Sequence, residues 1–221
     1  QANDTARASN INLGISLTSQ ADGSLRQMSA LLARAKELTL AGANAATSAT
    51  DRGTIAVELA SLADEIDSMA LVKAANDQPL FASGSNMAIR FDDNSIFAPV
   101  PTRAEVFEVG GVSISQTIRD TATAIAAGNM AQVAAGNTAV DGAINHASDM
   151  IAVVGLNAAR LDRLNENSAL RAISTAEERS ALEDTDLSAA IAELNGMTLT
   201  LEAAQAAFAR INRRTLMDFL S

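Results

Sequence analysis

Cysteine is absent from this 221-residue chain, as are Trp and Tyr, and Pro occurs only three times. Without Cys there is neither a disulfide nor a thiolate metal site. Aromatic residues make up 3% of a chain that is 48% hydrophobic, so the apolar content is mostly Ala and aliphatic. Ala is the best helix former, and such a composition builds thin bundles whose backbones approach closely. All three Pro lie between residues 79 and 101, which leaves both flanks free to run as long helix. Basic residues are outnumbered 16 to 26, for a formal charge of −10 and a pI near 4.5. That balance argues against gripping a nucleic-acid backbone, which needs clustered Lys and Arg, and against an anionic membrane surface. No apolar run approaches the length that spans a bilayer, so no membrane insertion is expected. No signal peptide is seen, and the chain starts with Gln1 rather than Met, as a piece of a longer protein would.

What is present is helical periodicity. Residues 1–41 read as helix, with the stripe Leu25, Met28, Leu32, Ala35 and Leu38. Gly42 and Asn44 act as stop signals. Asp51 is placed to cap a second helix, whose stripe Ile55, Leu59, Leu62, Ile66 and Met69 alternates four and three as a coiled-coil seam does. The short loop between them fits an antiparallel hairpin, so residues 1–74 read as the N-terminal helical hairpin of a shaft.

Residues 75–115 break the pattern. They hold Pro79, Pro99, Pro101, Gly84, Gly110 and Gly111, with Phe81, Phe91, Phe97 and Phe107. Residues 87–91 and 105–109 alternate as strands do, which predicts a small β subdomain of two or three hairpins. Helix returns at 116, with a stop near Gly128 and a long helix over about 130–184. Its seam is Val140, Ile144, Ala147, Ile151, Val154, Ala158 and Leu161. Residues 116–184 are thus read as the C-terminal shaft helices. Thr185 or Asp186 is expected to restart a last coiled-coil helix over 185–221, ending in Arg210, Arg213 and Arg214 and an apolar tail. The fold predicted is mainly α: an elongated antiparallel helical bundle with a small β subdomain inserted in the middle.

Catalytic and metal chemistry find little support. His146 is the sole His and has no second His or Cys to converge with it, so a solvated helix-surface position is expected. Asp64, Glu65 and Asp67 flank the seam residues Leu62 and Ile66 and read as a solvated face. Glu177, Glu178, Glu183, Asp184 and Asp186 precede the expected last helix, where acids favour the positive end; a calcium loop would need spaced oxygen ligands and a Gly. Gly110 and Gly111 suit a hairpin turn rather than a phosphate loop. No catalytic, metal or cofactor site is therefore assigned. The candidate functional surface is a subunit interface on Leu187, Ile191, Leu194, Leu201, Phe208, Ile211, Leu216, Phe219 and Leu220, which would otherwise face water.

Several segments resemble the bacterial flagellin family. Residues 31–40, LLARAKELTL, are similar to its "LxRxxEL" helix, with Arg34, Glu37 and Leu38 at the marked positions. Thr50, Asp51 and Arg52, followed by Glu58, Leu59 and Ile66, resemble the next helix of the family. Residues 151–164, IAVVGLNAARLDRL, resemble its "lGaxxNRLe" helix through Gly155, Arg163 and Leu164, with Asp162 in place of the usual Asn. Residues 182–194, LEDTDLSAAIAEL, resemble "irDtDxAxExxxL". The ending LMDFLS and residues 75–84, ANDQPLFASG, lie closer to the hook–filament junction branch than to the filament flagellins. The resemblance implies a structural, non-enzymatic subunit exported unfolded through the flagellar secretion system with the help of a chaperone. It implies assembly outside the cell with other axial subunits (hook-associated proteins, flagellin) and with copies of itself. It also implies that the first few dozen residues of a family member precede Gln1.

Overall fold

The computed structural model describes the backbone of residues 2–92 and 94–218, and the side chains over that range except at residues 2, 183–187 and 212–218. Among the described residues, five helices and two hairpins follow in the order α1 (Ala2–Gly42), α2 (Ala49–Met69), β1 (Ile89–Asp92), β2 (Ser95–Phe97), α3 (Arg103–Phe107), β3 (Glu108–Val109), β4 (Val112–Ser113), α4 (Ile114–Ala127) and α5 (Met130–Asp218). The chain divides into two compact units, residues 1–168 and 169–221.

In the first unit, α1 ends where the sequence stops it. The Thr47 hydroxyl donates to the Ala41 carbonyl at 2.9 Å, satisfying a helix-end acceptor. The cap of α2 differs from expectation: Ser48, not Asp51, is the N-cap, and its Oγ accepts the Asp51 N–H at 3.1 Å. Asp51 instead accepts the Ser48 hydroxyl at 2.8 Å from inside the first turn. A hydroxyl three residues before a backbone N–H has the right reach to cap it, and a carboxylate already inside the helix does not.

The core is a four-helix contact. The stripe expected on α1 is buried and extends N-terminally through Leu17 and Ala21. From α2 come Leu59, Ala63, Ile66 and Met69, with Ile55 and Leu62 half-buried. Ala63 was not in the expected seam; α2 packs against both α1 and α4, so its buried sector is wider than one seam. Ile114, Ile118 and Ile125 of α4 and Val133, Val140, Ala143, Ala147 and Val154 of α5 complete it. The buried hydroxyls of Thr18, Thr39 and Thr121 each donate to the carbonyl four residues earlier, at 3.0, 2.7 and 2.8 Å, so burial leaves them satisfied.

Between α2 and α4 lie the two hairpins. The first pairs Ile89 with Phe97 and Arg90 with Ile96, with an irregularity before Asp92. The second turns on Gly110 and Gly111, both at positive φ (60° and 80°), the conformation a two-residue hairpin turn demands. Residues 105–109 are not one strand. Residues 105–107 belong to α3, and only Glu108 and Val109 pair. The reason is a capping box: Glu105 N–H donates to Thr102 Oγ1 at 3.2 Å while the Glu105 carboxylate accepts the Thr102 N–H at 2.7 Å. That local device outweighs the alternating pattern. Phe81 and Phe107 meet edge to face at 5.2 Å, and Ile11, Phe91 and Leu161 form a second, smaller core.

The expected break at Thr185 or Asp186 does not occur: α5 is continuous from Met130 to Asp218. No Gly or Pro lies between Gly155 and Gly196, and Asp and Thr inside a helix cost only a few tenths of a kcal/mol each. The acidic cluster at 177–186 therefore lies within a helix rather than ahead of one. In the second unit α5 is the architecture, and every described side chain from residue 169 to 211 is exposed.

Candidate functional site

The candidate interface residues all fall on α5 or just beyond it. Ile191, Leu194, Leu201, Phe208 and Ile211 are 51%, 65%, 59%, 68% and 62% exposed. Leu187 and Leu216 lie on α5 with side chains outside the described set, and Phe219 and Leu220 lie outside the described residues. Positions 187, 190, 194, 197, 201, 204, 208 and 211 alternate three and four throughout, carrying Leu, Ala, Leu, Met, Leu, Ala, Phe and Ile. That is one coiled-coil stripe, with Ala190 and Ala204 as its small positions. Met197, 61% exposed, lies on the same stripe, although it is not among the residues expected at the interface. Ile191 stands one position off the stripe, beside Leu194. Glu193 and Thr200 border the stripe where Gly196 and Ala204 leave shallow steps. An apolar stripe on one helix can accept the ridge of another helix.

The polar clusters of the first unit fasten helices to each other. Arg119 of α4 reaches Asp64 at 2.7 Å and Asp67 at 2.6 Å on α2. Burial pushes the Asp67 carboxyl up, but hydrogen bonds from Ser115 and Arg119 outweigh it and hold the group below its ordinary value. Glu65 accepts from Gln27 of α1 at 3.1 Å. The acids expected on a solvated face are indeed at the surface, yet each has a partner on another helix. Arg34, at a marked position of the family-like segment, bridges Glu58 at 2.6 Å and Glu37 at 3.1 Å, while Leu38 is buried. Lys36 joins α1 to Asp141 of α5 at 2.6 Å.

His146 is not simply solvated. It is half-buried, and its Nε2 lies 2.8 Å from the Glu105 carbonyl oxygen. A carbonyl can only accept, so Nε2 carries the hydrogen and the ring pins α5 to α3. Asn157 donates to the Pro99 carbonyl at 3.1 Å, and the Arg160 guanidinium lies 4.1 Å over the Phe97 ring, so α5 also holds the first hairpin and the segment after it. Among the described residues no group of three or more His, Cys, Asp and Glu could hold a metal ion, and no helix is long and apolar enough to cross a membrane.

Fold and surface define a helix-dominated protein with an exposed apolar helix face. The family model of the bacterial flagellin N-terminal helical region matches residues 1–86, and that of the bacterial flagellin C-terminal helical region matches residues 137–220. Flagellins of Listeria monocytogenes and Listeria innocua are each 25% identical over 223 residues, spanning 96% of this chain and 77% of theirs. Among solved structures, a protein assigned as flagellar hook-associated from Vibrio parahaemolyticus superposes with a TM-score of 0.72 at 18% identity, over 79% of this chain and 88% of that one. FlgL of Xanthomonas campestris does so with a TM-score of 0.72 at 14% identity, over 81% and 98%. The chain belongs to the bacterial flagellin family, the structural proteins of the flagellum.

Proposed function

We propose that this chain is the junction subunit that connects hook to filament, hook-associated protein 3, and that the α5 stripe is where it docks on its axial neighbours. The observation that carries the docking is the exposure of Ile191, Leu194, Leu201, Phe208 and Ile211 on one helix of the second unit. Apolar side chains at coiled-coil spacing and in water are completed by another helix. The junction role is favoured by the ending LMDFLS and by residues 75–84. In that segment Leu80 and Phe81 are buried behind a turn that holds Asp77 at φ 62°, so the residues that resemble the junction branch have a packing role. Likeness in fold to a hook-associated protein and to FlgL supports the same reading. The partners are hook-associated proteins, flagellin and further copies of this chain, reached after export through the flagellar secretion system with a chaperone.

The second reading is a filament flagellin with a minimal outer domain, favoured by the flagellin relatives in Listeria. Assembly separates the two. A junction subunit is expected to stay unassembled alone in solution and to bind hook ends; seeded growth of the purified chain into long filaments would replace the first reading with the second. Leu194→Asp and Phe208→Asp are expected to leave the first unit folded by circular dichroism yet abolish incorporation. Normal motility of cells carrying either variant would count against docking through α5.

A further inference from the structure

The docking stripe runs through a segment of the second unit with weak helix propensity. Residues 188–193 read SAAIAE and residues 201–207 read LEAAQAA, both strong helix formers, whereas residues 195–200 read NGMTLT. All these side chains are exposed, so no tertiary packing offsets propensity and local helix stability follows the residues themselves. Gly196 has no packing reason within the chain, since a Cβ there would meet nothing within 4 Å. The Thr198 and Thr200 hydroxyls donate back to the Leu194 and Gly196 carbonyls, both at 2.8 Å. Such back-bonding competes with the helix ladder and bends helices. One glycine and two back-bonded threonines thus fall within positions 196–200, between the large stripe residues Leu194 and Leu201.

We propose that residues 195–200 are a built-in hinge of the terminal helix, which lets the stripe segment before it and the segment after it engage partner helices of different geometry. The inference rests on the reading that the α5 stripe docks on axial subunits, and adds that the two halves need not stay collinear while they do so. A subunit that meets unlike neighbours on its two sides has use for such a joint; a uniformly stiff helix fits one geometry only.

Millisecond hydrogen–deuterium exchange on the full chain tests it. Exchange is expected to peak at residues 195–200, and Gly196→Ala is expected to slow it there by about five-fold, the Gly–Ala propensity difference expressed as a rate ratio. Thr198→Ala with Thr200→Ala is expected to slow it without placing any atom at Gly196. Both variants are expected to reduce incorporation between hook and filament. Uniform exchange across residues 188–207 would overturn the hinge, and so would normal incorporation of variants whose exchange has slowed. Loss of incorporation with Gly196→Ala alone would assign Gly196 to a close approach by a partner and would also overturn it. Normal incorporation of Leu194→Asp would instead remove the docking reading while leaving the exchange maximum standing.

Discussion

Gly136 and Gly142 sit two turns apart on α5 and answer the same substitution with opposite signs. A Cβ on Gly136 would overlap Thr121 Oγ1 and lie 2.9 Å from its Cγ2, so α4 and α5 approach closely at that glycine. Gly136→Ala is expected to destabilise the first unit by about 1–3 kcal/mol, as overpacking of a close contact does. A Cβ on Gly142 meets nothing within 4 Å, and Gly142→Ala is expected to add up to about 1 kcal/mol of helix propensity. Chemical denaturation of both variants checks the pair; equal shifts would contradict the close approach. Nothing in the sequence separates these two residues, since both are glycines inside one helical pattern. Gly14 belongs with Gly136, because its Cβ would lie 2.8 Å from Phe91 Cε1 and 2.9 Å from Leu161 Cδ2.

Among the elements, α3 shows how a short-range device overrides a pattern. Thr102→Ala removes the capping hydroxyl and is expected to cost about 1 kcal/mol, with loss of the Phe81–Phe107 contact that α3 positions. The same box gives a pH dependence. Backbone and side-chain hydrogen bonds from Thr102 hold the Glu105 carboxyl below its ordinary value, and Asp67 is lowered beside Ser115 and Arg119 despite its burial. A carboxyl lowered in the folded state binds its proton more readily when unfolded. Its contribution is therefore complete above the unfolded pKa, about 4 for Asp and Glu, and is lost as pH falls through the lower folded value. Denaturation midpoints are expected to fall on acidification below about pH 4. Combining Glu105→Gln with Asp67→Asn is expected to flatten that slope; an unchanged slope would show that other carboxyls set it. The capping box is legible in the sequence as Thr102 three residues before Glu105, and over residues 105–107 it competes with the strand-like alternation of 105–109 and wins.

For the whole molecule, the first unit holds its own core. Its last fully buried side chain is Leu161, and no described residue from 169 to 211 is buried. Removing residues 169–221 is accordingly expected to leave the melting temperature of the remainder within a few degrees, since about 1 kcal/mol shifts a domain of this size by about 2–4 °C. A large drop would mean that the second unit contributes to the fold as well as to assembly. The same division explains why charge patterns in the first unit fasten helix to helix, while the described side chains of the second unit are exposed.

Two helices joined by a short loop, a hairpin-bearing insertion around the prolines, and a terminal apolar stripe were determined by residue order alone, because helical and strand periods are local properties that survive without knowing what packs where. Tertiary structure decided the rest. It drew Ala63 into a core bounded on two sides, gave Asp64, Glu65 and Asp67 their cross-helix partners, set His146 against the Glu105 carbonyl and left no room for a Cβ at Gly136 while leaving room at Gly142. Each of these depends on which atoms from distant parts of the chain arrive within a few ångströms, and no local period carries that information.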